Sequence, residues 1–324
     1  MTTMSADSGT AVPLPHDPRW PRASEWIAEG TDACHSNPQL PPDLGILGVP
    51  THLTSISPTQ ADTTPAAVRR ALARYSVWAE STRTDLRELL PVDLGDVADP
   101  DDPDTGEARV MQAVNAFAGQ LLIALGGDNS LTYPVTRGLH ATGLVTLDAH
   151  HDLRDGRSNG SPVARLVADE VIDPRRIVQV GLSDFANSPD YAAQAHDAGI
   201  TLITRGEVES TGIVAAMTKA LAIAGARAPG DEGPPRVHVD LDVDVCDRAV
   251  VPACPAAAPG GLSAWELRRA ARCAGRDRRV VGIDFAEVDA AADAADERTV
   301  RLVALGVLEA AAGLATRPAS TLAT

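Results

Sequence analysis

The run Asp148-Ala149-His150-His151-Asp152 and the run Asp242-Val243-Asp244, some ninety positions later, hold the residues best equipped for chemistry in this chain. Each follows an apolar stretch that reads as a buried strand, residues 144–147 before the first and 237–241 before the second. Side chains alternate along an extended strand, so Asp148, His150 and Asp152 are expected on one face, as are Asp242 and Asp244. Carboxylates and an imidazole gathered at two strand ends would carry more negative charge than a fold collects without a cation to neutralise it. Oxygen-rich ligation with one imidazole suits Mn²⁺ better than zinc, which favours thiolates and several histidines. His151 alternates to the opposite face from His150 and is not expected to be a ligand. The plainer alternative is acidic side chains scattered over solvated strand ends. The pattern reads as a divalent-metal site.

Eight apolar runs could position such a site: residues 44–49, 90–94, 121–125, 144–148, 177–182, 200–203, 237–242 and 280–285. Several are almost wholly apolar, as expected of parallel strands covered on both faces. Helical segments fill the gaps. Thr64-Pro65 gives a cap followed by proline ahead of residues 66–75. Ser263 with Glu266 three positions on forms a capping box opening residues 264–274, and residues 300–312 read as a long apolar helix. This alternation predicts a three-layer α/β/α fold with a mostly parallel sheet of about eight strands. In such sheets the site lies beyond the carboxyl ends of the strands, where Asp128, Asp148, Asp242 and Glu287 all fall. Residues 1–40, rich in Pro, Ser, Asp and Thr and without periodicity, are expected to be a loosely ordered arm. That leaves residues 41–318 as a single domain, with 226–235 as a surface loop.

Composition narrows the partners. A net charge of −16 argues against nucleic acid or an anionic membrane, which both require basic patches. The beginning MTTMSADSGTAVPLPHDPRW lacks the basic start and apolar centre of a signal peptide, and no run is long enough to span a bilayer. Cys34, Cys246, Cys254 and Cys273 show no CxxC spacing and are expected as thiols in a reducing cytoplasm.

Four segments stand in a telling order: Gly126-Gly127-Asp128-Asn129-Ser130; the DAHHD run; Asp242 through Pro252 to Gly260-Gly261; and Asp284-Phe285-Ala286-Glu287-Val288-Asp289. Together they resemble the ureohydrolase family of arginases, agmatinases and formimidoylglutamases, over residues 44–312 or so. The resemblance implies an arginase-like α/β/α enzyme that cleaves linear amidines with two Mn²⁺ ions and a bridging hydroxide. It further implies that Asp148 and Asp242 bridge the ions, that Asp152 completes one and that His150 and Asp244 complete the other. Glu287 matches the glutamate that grips the cationic nitrogen of the substrate and, with Asp152, is a candidate catalytic residue. Asp128 would be structural, and Asp240, in place of a family serine, could support Asp242 from behind. Asp247 matches the family spacing, though Arg248 stands where the family has proline. Assembly as a homo-oligomer, a trimer or hexamer, is implied by the resemblance alone.

Two departures shape the expected activity. Asn129 occupies the position of the family's first histidine ligand, so one or two Mn²⁺ ions per chain are expected. Asn159, in Asn159-Gly160-Ser161-Pro162-Val163, replaces a histidine that shuttles protons in guanidino hydrolases. This and the segment Phe185-Ala186-Asn187-Ser188 favour the formimidoylglutamase branch. Its dicarboxylate substrate would need cationic anchors, for which Arg154 and Arg157 are candidates beside Asn159 and Glu287; equally, each arginine alone could simply balance an acidic surface. The expected reaction is N-formimino-L-glutamate and water to L-glutamate and formamide. The alternatives are a guanidino hydrolase releasing urea and a metal-impaired, non-catalytic relative.

Overall fold

The apolar runs become strands buried on both faces. The computed structural model describes residues 17–227 and 233–318. Its strands are β1 (Leu44–Val49), β2 (Trp78–Ala79), β3 (Thr84–Asp85), β4 (Pro91–Asp96), β5 (Leu121–Gly126), β6 (Gly143–Leu147), β7 (Ile177–Leu182), β8 (Thr201–Thr204), β9 (Val237–Asp242) and β10 (Val280–Ala286). β2 and β3 pair in a small antiparallel ribbon. The other eight form one sheet in the order β4-β1-β5-β10-β9-β6-β7-β8, every pairing parallel.

The helices are α1 (Ala23–Ser36), α2 (Thr64–Leu72), α3 (Gly106–Asn115), α4 (Thr132–Gly138), α5 (Pro162–Ala168), α6 (Pro189–Ala198), α7 (Arg205–Thr211), α8 (Ile213–Ala224), α9 (Ala264–Arg276) and α10 (Arg298–Ala315). Alternate strand residues feed two separate cores. Ile123 and Leu125 pack with Val68 of α2, Leu221 of α8, Leu267 of α9 and Val307 of α10. Leu122 and Ala124 pack with Val110 of α3, Val135 of α4 and Leu166 of α5. Helices therefore cover both faces, and the expected three-layer α/β/α fold is present.

Strand boundaries fall within a residue or two of expectation, and 177–182 and 237–242 match end to end. α2 spans Thr64–Leu72 rather than 66–75: Thr63 takes the cap position expected of Thr64, so Pro65 falls second in the helix instead of first. The Ser263–Glu266 capping box forms as expected, each residue's side chain bonding the other's backbone N–H at 3.3 and 2.8 Å. The arm expected over residues 1–40 needs correction: α1 lies within it and buries Ala23, Trp26 and Ile27. Residues 1–16 of that arm lie outside the described residues, as do 228–232 of the expected surface loop.

The chain passes from β5 to β6 across the two positions later filled by β9 and β10. The segments leaving these four neighbouring central strands thus meet at the carboxyl end of the sheet, the crevice where open α/β sheets place their ligands.

Candidate metal centre

Each acidic run leaves its strand earlier than alternation required. β6 ends at Leu147, so the DAHHD run is a turn rather than strand. Its backbone is held by its own acid: the His150 N–H donates to Asp148 Oδ1 at 2.6 Å. Asn187 braces the same turn from outside, accepting from the His151 N–H at 2.9 Å and donating to the Ala149 carbonyl at 2.9 Å. After Asp242 the chain enters a single 3₁₀ turn, and the Asp242 carboxylate accepts from the Asp244 N–H at 2.8 Å. Strand alternation was therefore the wrong reason for the right grouping; turns bring these side chains together.

Asp148, His150 and Asp244 offer ligand atoms that all lie within 4.8 Å of one another. His150 Nδ1 is 2.7 Å from Asp244 Oδ2 and 3.4 Å from Asp148 Oδ1. Asp244 Oδ1 also accepts from the Ala149 N–H at 3.1 Å, tying the two runs to each other. Asp152, Asp242, Asp244, His150 and Glu287 border one cavity of about 310 Å³, with Arg154 and Asn159 also on its wall. Asp148 lies buried behind them.

The electrostatics describe a place short of positive charge. Burial, then the Asp244 charge, pushes Asp148 up to about 7. Burial and neighbouring acids push Asp152 and Asp242 well above the usual carboxylate range, and Glu287 rises to about 8. Burial would lower the His150 imidazolium, but the Asp148 and Asp244 carboxylates outweigh it and push it up to about 12. Burial likewise works to raise Asp244, yet its bond to His150 holds it low. A proton on His150 does what a cation does better: it compensates buried acids. The donor set, buried carboxylates with one imidazole opening on a cavity, fits a hard divalent ion such as Mn²⁺.

Two site residues carry backbone strain. Asp152 (φ 53°) and Glu287 (φ 62°) occupy the left-handed region, costly for side chains other than glycine. Glu287 is held there by its N–H to the Gly127 carbonyl at 2.9 Å. Its Oε1 accepts from the Asn129 N–H and from Asn159 Nδ2, both at 2.8 Å. Gly127 must be glycine, since a Cβ there would lie 1.8 Å from the Thr51 carbonyl oxygen. That close approach lets the Asp128 N–H donate to the same oxygen at 2.8 Å. Asp128 itself accepts from Ser130 and shapes the turn, as expected of a structural residue.

The remaining expected residues divide. Asn129 is buried, its Nδ2 donating to Asp152 Oδ2 at 2.7 Å. Arg154 is exposed on the cavity wall, and among the described residues no acid pairs with it. Arg157 is a correction: its Nε pairs with Glu107 at 3.2 Å and its Nη1 donates to the Pro103 carbonyl, so it does not border the cavity. His151 also borders the cavity but lies outside the Asp148–His150–Asp244 group, its Nδ1 2.7 Å from Gln179 Oε1. Asp240 is fully buried directly opposite Asp284 in the β9–β10 pairing, and burial with that neighbour raises its carboxyl. Asp247 stays outside the cluster, where it accepts from the Ala249 and Gly260 N–H groups. Two supporting residues had gone unnoticed, Gln179 beside His151 and Thr132 beside Asn129, while Asn187 had been singled out only as part of the 185–188 segment and not as a brace for the turn. A lone glutamine inside the apolar run of β7 was the one available signal.

Comparison with known proteins identifies the family. The arginase family model matches residues 42–313. The chain belongs to the arginase family. This arginase-family chain is 29% identical to the formimidoylglutamase of Bacillus subtilis over 286 residues, covering 84% of the chain and 88% of that protein. The formimidoylglutamase of Halalkalibacterium halodurans is 30% identical over 263 residues, 77% and 81% of the two chains. The crystal structure of the Bacillus subtilis enzyme superposes with a TM-score of 0.82 at 26% identity, covering 97% of each chain. The formiminoglutamase of Trypanosoma cruzi, solved with Mn²⁺, shares the fold with a TM-score of 0.79 at 24% identity over 92% of this chain and all of that one.

Proposed function

We propose that this chain hydrolyses N-formimino-L-glutamate to L-glutamate and formamide, using Mn²⁺ held by Asp148, His150, Asp152, Asp242 and Asp244 with Asn129 at the edge of the site. The observation that carries the reading is the convergence of the Asp148–His150–Asp244 group and a doubly anchored Glu287 on one cavity bordered by the exposed Arg154. Mn²⁺ bound there supplies Lewis acidity and activates water near neutral pH. Everything else falls to side chains of the chain.

Glu287 Oε1 is occupied by two N–H donors, so its other oxygen is left to hold a substrate nitrogen by a charge-assisted hydrogen bond. That contact keeps the formimino carbon in place and favours the cationic amidinium form. Asp152, beside Asn129, is suited to hold a proton on its way to the departing amine. Arg154 at the cavity wall suits a carboxylate of the glutamate moiety, and would repel a dication such as agmatine.

Relatives named for this activity support the assignment. The homo-oligomer and the cytoplasmic location are part of the same reading. Among the described residues no helix is long and apolar enough to cross a membrane. The test is metal analysis of the purified protein coupled to product detection with formiminoglutamate, agmatine, guanidinobutyrate and arginine. Formamide and glutamate from the first alone are expected. Urea from a guanidino compound would replace this reading with its guanidino counterpart, and a protein without Mn²⁺ or turnover would be the non-catalytic relative.

A further inference from the structure

Behind Asn129 a chain of buried polar groups runs across the sheet and takes no direct part in the proposed reaction. Thr132 Oγ1 lies 2.7 Å from Asn129 Oδ1 and 3.0 Å from Asp284 Oδ2. Asp284 is fully buried on β10, with His238 Nε2 3.2 Å from the same oxygen. His238 Nδ1 is in turn 2.8 Å from Thr136 Oγ1, and Thr136 donates to the Thr132 carbonyl at 2.6 Å. Asn129, Thr132, Thr136, His238 and Asp284 are all buried to 1% exposure or less.

We infer that Thr132 and Asp284 are positioning residues that decide which atom of the Asn129 carboxamide faces Asp152, allowing it to turn its oxygen toward a cation. This rests on the cation reading above and concerns only how Asn129 serves it.

The argument is one of proton supply. A threonine hydroxyl has one hydrogen and two lone pairs, and a carboxamide keeps its shape when its oxygen and NH₂ exchange places. With the Thr132 hydrogen on Asn129 Oδ1, the NH₂ group must face Asp152, which is the arrangement observed. A cation beside Asp152 cannot tolerate an NH₂ there; it needs the amide oxygen. Turning the carboxamide brings its NH₂ against Thr132, which is acceptable only if the hydroxyl hydrogen has another acceptor. Asp284 Oδ2 is that acceptor, already at hydrogen-bond distance. In both arrangements the Thr132 hydrogen has an acceptor and the carboxamide NH₂ has one too, so the turn leaves neither donor stranded. Valine at position 132 keeps the shape but removes both the hydrogen that Asn129 Oδ1 takes in the observed arrangement and the oxygen that would receive the NH₂ in the turned one; a stranded buried N–H is tolerated less well than a stranded carbonyl oxygen, so the cation-bound arrangement loses more.

The experiment is a Mn²⁺ titration of the metal-stripped full chain, followed by the EPR signal of free ion. It compares the natural chain, Thr132→Ser and Thr132→Val, each also carrying Asn129→Asp, with circular dichroism melts as the fold control and Thr132→Ala in reserve should valine not fold. The natural chain and Thr132→Ser should take up two ions alike. Thr132→Val should keep one ion and bind the other at least tenfold more weakly. In the Asn129→Asp background that penalty should vanish, because both carboxylate oxygens are donors and no orientation has to be chosen; a merely structural role for Thr132 would not be rescued so. Unchanged binding of both ions by Thr132→Val, or a penalty that persists beside Asn129→Asp, overturns the inference. A natural chain holding one ion overturns it too and leaves the cation reading standing, whereas uptake of no Mn²⁺ overturns the cation reading itself.

Discussion

Asn159 donates its side-chain amide to Glu287 at 2.8 Å across 128 positions of sequence, while its own Oδ1 accepts from the Ile56 N–H at 3.0 Å. One asparagine thus anchors the buried Glu287 carboxylate and holds Ile56 at the cavity wall. Asn159→Ala should lower kcat/KM by roughly tenfold, about 1.4 kcal/mol, the scale of a lost hydrogen bond to a charged group. Asn159→Asp should be worse, since a second carboxylate would face Glu287. Steady-state kinetics on both variants checks this; an unaltered Asn159→Ala enzyme would show that Glu287 needs no such anchor.

Asp244 is the acid that His150 leans on most closely. Asp244→Ala should remove tight Mn²⁺ binding and activity together, with turnover falling by on the order of a hundredfold or more. Metal content by atomic absorption and formamide release are measured on the same preparation. Full activity in the variant would remove these residues from the site.

The two candidate arginines should now behave differently. Arg154→Ala should raise KM for formiminoglutamate about thirtyfold, near 2 kcal/mol, the low end of the range because the side chain is exposed. Arg157→Ala should leave KM within about twofold, because its guanidinium is spent on Glu107. Equal effects in the two variants would mean that Arg154 is not the anchor.

Away from the cavity, Glu309 on α10 is buried and paired with Arg268 and Arg272 of α9, the former at 2.7 Å. Glu309→Ala would leave two guanidinium groups without their partner at the interface between these helices. A loss of about 3 kcal/mol is expected, or on the order of 5–10 °C in Tm, with kcat unchanged at assay temperature. Thermal melts and kinetics together decide it.

The sequence by itself determined the sheet and most of the acidic centre. Apolar runs such as 44–49 and 121–126 can be buried on both faces only as covered parallel strands, so their ends were legible, and with them the strand ends near which Asp148, Asp242 and Glu287 sit. What tertiary structure alone decided was everything that depends on which strands become neighbours. α1 was hidden because its sparse buried positions lie in a segment flanked by proline and polar residues. Arg157 looked as free as Arg154 until the fold brought Glu107 to it. Thr132 reads as an ordinary residue after a turn, and nothing local reveals that Asp284 stands 3.0 Å away across 152 positions. Local periodicity records which face a residue takes; hydrogen bonds between distant segments follow from the order of strands in the sheet, which no local pattern records.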